Sequence, residues 1–162
     1  RYVVQLSKGS LTGIQASVIP GLITCVNHVE RTGDHVKDLV NLAKVKVERS
    51  LPFSSIALND LRDLESLVIK MYDLLIKLLE GGDTQVLYEK IIELEDQVDI
   101  RAKQLVDGHV ERLERDECSV ESGVYFMDIV NFLERISDRI YKAARDLRNG
   151  ELGIKEEKEK VE

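Results

Sequence analysis

The chain has no tryptophan, only two prolines and two cysteines among 162 residues, and aromatic residues make up 5% of it. So few prolines leave long stretches free of helix breakers. Cys25 and Cys118 fall in no C-x-x-C or zinc-like spacing. That excludes a disulfide framework and a cysteine-built zinc site, and two reduced thiols packed in helical stretches are expected. No uninterrupted apolar run approaches the ~20 residues that cross a bilayer, and no signal peptide opens the chain. Alternating apolar runs bounded by turn signals are also missing, so strands are nearly absent. Basic residues are the minority, giving a net charge of −7. A nucleic-acid partner is thereby disfavoured, since phosphate binding needs a basic surface; the same excess favours cations. The chain opens on Arg1 rather than Met, from which a piece of a longer protein is expected.

What is present is helical pattern. Hydrophobic residues are 43% and charged residues 33%, the balance of a folded bundle in one domain of ordinary size. Leu22, Val26, Val29, Val36, Val40 and Val47 recur at three- and four-residue steps, extended upstream by Leu11, Ile14 and Val18. Ser10 is a candidate cap for this first helix and Ser50-Leu51-Pro52 its stop; Pro20 predicts either a kink or a later start. A second helix is predicted from about Ser55 to Glu80, broken by Gly81-Gly82. A third follows a cap at Asp83 or Thr84 and ends near "ERDECS", and a fourth runs from about Ser119 to Asn149 with Gly150 as its stop. Residues 1–150 thus form the bundle domain, and 151–162 ("KEEKEKVE" at the end) read as a charged, disordered tail. Connections this short make successive helices antiparallel, so the fold class is all-α, an up-down bundle of four long helices.

The chain writes one phrase twice. "VNHVERTGD" at 26–34 and "VNFLERISD" at 130–138 share five of nine residues at an offset of 104. A third acid pair stands in "ELEDQVDIRAKQL", so Glu30/Asp34, Glu95/Asp99 and Glu134/Asp138 all have Glu-x-x-x-Asp spacing. Four residues advance a helix by about 400°, which stacks each pair on one face. These faces flank the apolar stripes. For one pair alone a solvated surface is the ordinary reading. Pairs on adjacent helices can converge, however, and clustered carboxylates repel unless a cation or a basic side chain neutralises them. Carboxylate oxygens suit hard or borderline cations such as iron, manganese, magnesium or calcium. His28, His35 and His109 have no Glu three residues before them, which counts against a Glu-x-x-His di-iron centre. His35, next to Asp34, is a possible supporting or ligating group; Asn27 and Asn131, three residues before their Glu, are placed to orient the carboxylates. The rival arrangement is a salt-bridge network in which Arg31 and Arg135 neutralise the acids. No nucleophile constellation, phosphate loop or H-E-x-x-H occurs, so the expected function is non-catalytic.

"VERTGDH" and "LERISDR" resemble the Glu-Arg-x-x-Asp-His signature of PhoU-like proteins, regulators of bacterial phosphate uptake, and "LEDQVDIRAKQL" resembles the acidic motif on the helix before it. Members of that family contain two related three-helix units. The first helix here corresponds to the last of unit one and the other three to unit two. The resemblance implies bound metal ions, iron among them, on Glu95, Asp99, Glu134 and Asp138. A second site would use Glu30 and Asp34 with partners from a preceding helix or another chain. Arg139 stands where the family often has His, which would put a cation beside the fourth-helix pair. The resemblance further implies a regulatory domain of a phosphate transport system, at the cytoplasmic face of the membrane. Its partner would be a transporter segment of the same polypeptide, as in sodium/phosphate cotransporters, or a homodimer mate. The alternative is an interaction bundle without metal; a metal-dependent hydrolase lacks an identifiable base.

Overall fold

Helix α1 spans Gly13–Glu48, α2 Ser55–Leu79, α3 Thr84–Glu114 and α4 Val120–Glu159. The computed structural model describes the backbone of residues 13–159 and the side chains of residues 19–150, so the predicted cap at Ser10 lies outside it. Among the described residues there is no strand, and the all-α architecture of four long helices is as expected.

The three turns share one construction. Each helix closes on a left-handed residue: Ser50 (φ 50°), Gly81 (φ 89°) and Asp116 (φ 57°). The next amide then reaches back across the last turn: Leu51 donates to the Lys46 carbonyl, Gly82 to Lys77 and Glu117 to Arg112, at 3.0, 3.0 and 2.9 Å. This pattern satisfies carbonyls that a helix end leaves free. Each following helix opens on a side-chain cap. Ser54 Oγ accepts from the Ala57 amide at 3.1 Å, Asp83 Oδ1 from Val86 at 3.0 Å and Ser119 Oγ from Ser122 at 3.2 Å. Cys118 therefore lies in the third turn and not in a helix as the sequence reading had it.

Two other expectations are corrected. Helix α1 runs continuously through Pro20, so of the two outcomes expected there, a kink or a later start, the later start does not occur; Thr24 Oγ1 donates to the Pro20 carbonyl at 2.9 Å. Helix α4 does not stop at Gly150 and carries its backbone to Glu159. A lone glycine costs a helix only about 1 kcal/mol relative to alanine, too little to end one that lacks a capping turn. The predicted boundary between domain and tail is thus not marked by the end of a helix.

Packing gives α2, α3 and α4 a shared core, in which Leu64, Met71, Ile91, Val98, Val130 and Ile140 are almost fully enclosed. Among the described residues, helix α1 packs against α4 alone. The face it uses is not the expected valine stripe. Gly21, Cys25, His28, Thr32, His35 and Leu39, spaced alternately by four and three, form the seam, the 3.5-residue period of a coiled coil. His28 Nε2 lies 3.3 Å from Asp146 Oδ2, and the His35 and Phe132 rings are 5.8 Å apart. At Gly21 the helices nearly touch: a Cβ there would stand 3.1 Å from the Asp146 carbonyl oxygen. Small and polar residues permit this approach, and the valines are left to line an open apolar groove. It measures about 790 Å³, with α1 and α2 as its walls and Leu133, Ile136 and Ile140 of α4 as its floor.

The internal repeat makes this exposure legible. Val130, Leu133, Ile140 and Ala144 of α4 are 0–7% exposed beneath α2 and α3. Their counterparts 104 residues earlier, Val26, Val29, Val36 and Val40, are 40–51% exposed. The two helices carry the same apolar face, but only one has its covering pair among the described residues.

Candidate functional site

Helices α3 and α4 run antiparallel in a register that several contacts define. Arg148 Nε donates to Gln85 Oε1 at 3.2 Å, Tyr88 stacks on Tyr141 at 6.1 Å, and His109 lies 5.5 Å from Phe126. That register sets Glu95 opposite Asp138 and Asp99 opposite Glu134, so two of the predicted pairs do meet. Their electrostatics record the meeting. Burial, then Asp99, Asp96 and Asp138, push the Glu95 carboxyl above the usual carboxylate range. Burial, then Asp138 and Asp96, do the same to Asp99, and burial, then Asp99 and Asp138, to Glu134. Each group sits in a field made more negative by its neighbours and resists losing its proton.

Asp138 is the member already supplied with a cation. Lys142 Nζ lies 2.6 Å from its Oδ2, one turn along α4. Lys142 therefore does what was expected of Arg139. The Arg139 guanidinium instead faces the α1 seam, where it helps depress His28, and its Nε is buried without a hydrogen-bond partner. One position on a helix turns a side chain by 100°, enough to move it from the acidic patch to the opposite helix.

The remaining predicted residues stand apart. Glu30 and Asp34 are exposed on α1, which packs on no helix but α4, so no second acid pair faces them among the described residues. Asn27 and Asn131 are exposed and hydrogen-bond to none of the acids. His35 is half-buried against Phe132 in the α1–α4 seam. Arg135 lies over the Phe132 ring at 5.6 Å while lowering Glu134 somewhat, and no ion pair joins Arg31 or Arg135 to the acids among the described residues. Asp96 was missed as a member of the patch, although it stands about one turn from Asp99 on the same helix.

The donor chemistry suits a hard or borderline cation, but the arrangement is not a finished site. Among the described residues no three His, Cys, Asp or Glu side chains are grouped closely enough to hold one ion. Glu95, Asp99, Glu134 and Asp138 are the residues that would hold one, after rotamer changes and release of Lys142. Bound there, a cation would neutralise the patch and crosslink α3 to α4.

Among the described residues, no helix is long and apolar enough to cross a membrane. No curated protein and no solved structure matches the chain. A family model described as PhoU domain matches residues 61–147, the three-helix unit α2–α4 with both facing acid pairs.

Proposed function

We infer a regulatory role in phosphate homeostasis for this chain, which belongs to the PhoU domain family. That family is regulatory and not catalytic, in keeping with a sequence that offers no nucleophile constellation. The match over 61–147 carries the reading.

In its finer form, the reading makes the chain a domain that governs a membrane phosphate transporter of the sodium/phosphate cotransporter type, from the cytoplasmic face. Metal ions, iron among them, would engage Glu95, Asp99, Glu134 and Asp138. The raised carboxyl groups support this, because a patch short of positive charge gains most from a cation. The bare valine face of α1 supports a docking partner, a transporter segment of the same polypeptide or a second copy. Glu30 and Asp34 would join a site only when such a partner supplied the missing acids.

The test is metal analysis of protein purified without chelators, beside the Glu134→Ala/Asp138→Ala variant. The expected result is bound metal in the parent, its loss in the variant, and a chelator-induced fall in melting temperature in the parent only. Equal stoichiometric metal in both would sink the assignment. The Lys142–Asp138 pair favours the second reading, an interaction bundle whose acids are balanced by side chains. It predicts no bound metal and no chelator effect.

A further inference from the structure

Helix α1 carries a second seam that nothing covers among the described residues. Val26, Val29, Gly33, Val36, Val40 and Ala43 follow one another at alternating steps of three and four, and all six are exposed. That is the 3.5-residue period by which one helix winds on another, held here over about 26 Å. Each position lies one residue after its counterpart in the seam on α4, so the two faces stand roughly 100° apart. Gly33 is at the middle of the bare face. A Cβ added there would meet nothing within 4 Å, so the chain's own packing does not call for a glycine, and a glycine inside a helix costs stability. At the equivalent position of the repeat, Ser137 is also small and is 0% exposed. In the covered copy, then, a small residue at this position goes with close helix packing. Beyond the valines, on the flank turned away from α4, Glu30, Lys37 and Lys44 stand exposed.

We propose that this face binds a second copy of the chain, the two α1 helices pairing antiparallel about a two-fold axis that passes between Gly33 and Val36. Each Gly33 then lies against the partner's Val36, and each Val29 against the partner's Val40. The same register sets Glu30 opposite the partner's Lys37 on both sides of the axis, so the flanking charges are matched twice. A parallel pair would set Glu30 and Lys37 against the partner's Cys25 and Thr32, which are uncharged and buried on α4. The charges therefore select the antiparallel pair. Valine, glycine and alanine fill the seam without an aromatic anchor, and the face leaves on the order of 500 Å² bare per chain, the low end for a specific pair. The pair is accordingly weak and reversible: single chains at the few micromolar of an unfolding experiment, half-paired at roughly 0.1 mM. It takes up the docking role inferred above but needs no metal. Glu30 gains a lysine in this register and no acid, so its pair with Asp34 stays outside the metal patch.

The test is analytical sedimentation of the full chain from a few micromolar to about 1 mM, which should carry the measured mass from one chain toward two. Chelator is present throughout, so no metal bridges the copies and neither outcome touches the metal assignment. Val36→Glu, with helix content checked by circular dichroism, is expected to abolish pairing. Glu30→Lys and Lys37→Glu each set like charges opposite one another and are each expected to weaken pairing by about tenfold. The double variant Glu30→Lys/Lys37→Glu, and an equimolar mixture of the two single variants, are expected to regain the strength of the parent. A chain that stays single up to about 1 mM overturns the proposal and leaves the face to a helix of another protein. Pairing that Val36→Glu spares, or that the charge reversals neither weaken singly nor restore together, overturns it equally, because it would run through another surface.

Discussion

Val36 and Ile140 occupy equivalent positions of the repeat, and truncating each to alanine tests how the two copies are covered. Ile140 is 1% exposed, enclosed by α2 and α3, whereas Val36 is 46% exposed on the groove wall. Ile140→Ala removes three carbons from a packed site and is expected to cost about 3–4 kcal/mol, within the usual range for cavity-forming substitutions. Val36→Ala removes two carbons that are about half in water already, a loss of roughly 0.8 kcal/mol at ~0.8 kcal/mol per fully buried carbon. Alanine is also the better helix former, by about 0.5 kcal/mol, which brings the net cost of Val36→Ala close to zero. For a chain of this size, 1 kcal/mol shifts the melting point by roughly 3 °C, so the two variants should differ by about 10 °C. Urea unfolding provides the assay, with midpoints compared at unchanged slope. A Val36→Ala cost within about 1 kcal/mol of that of Ile140→Ala would refute the reasoning, because it would mean that the α1 valines are covered in solution.

Two further outcomes follow from the geometry. Since the folded state holds Glu95, Asp99 and Glu134 above their ordinary range, it binds more protons than the unfolded chain between about pH 4 and those raised values, and stability falls as pH rises through that window. Glu95→Gln/Asp99→Asn is therefore expected to stabilise the chain at pH 7 and to lose that advantage progressively as pH falls, until it is gone below about pH 4, as read from urea midpoints. His28 and His109, depressed mainly by burial, act in the opposite sense below about pH 6.5, but they are common to both proteins and cancel in the comparison. An advantage that is equal at both pH values would show that the acids do not repel one another. Gly21→Leu drives a side chain into the Asp146 carbonyl and should cost about 1–3 kcal/mol. Hydrogen exchange should show the loss in α1 before α2 and α3, and uniform loss across all four helices would count against a separately seated α1.

Much of this protein was legible because its signals are local. Helix period, the Gly81 stop and the Asp83 cap each depend on a few adjacent residues, and all three appear where periodicity and turn chemistry put them. The misreadings were of residues whose meaning depends on a neighbouring helix. Helix α1 runs through Pro20, and the close seat of Gly21 on α4 beside it is a contact that no local signal records. Gly150 did not stop α4, whereas the ends expected at Ser50-Leu51-Pro52 and near "ERDECS" hold, with Ser50 and Asp116 in the left-handed backbone of the closing turn. The acid pairs could be read as stacked on helix faces, but Glu95 and Asp99 meet Glu134 and Asp138 only through the α3–α4 register.

The sequence by itself determined four helices, their order and the internal repeat, since spacing along one helix decides which residues share a face. It did not determine which face each helix would bury. Helices α1 and α4 bear matching apolar stripes, yet α1 hides a seam of glycine, cysteine, threonine and histidine and leaves its valines bare. Close approach at Gly21 and cover by α2 and α3 on only one copy decide that, and both are properties of the assembled helices. The same assembly brought Glu95, Asp99, Glu134 and Asp138 to one patch and left Glu30 and Asp34 without facing acids among the described residues, because carboxylates on separate helices interact only where packing brings them within range.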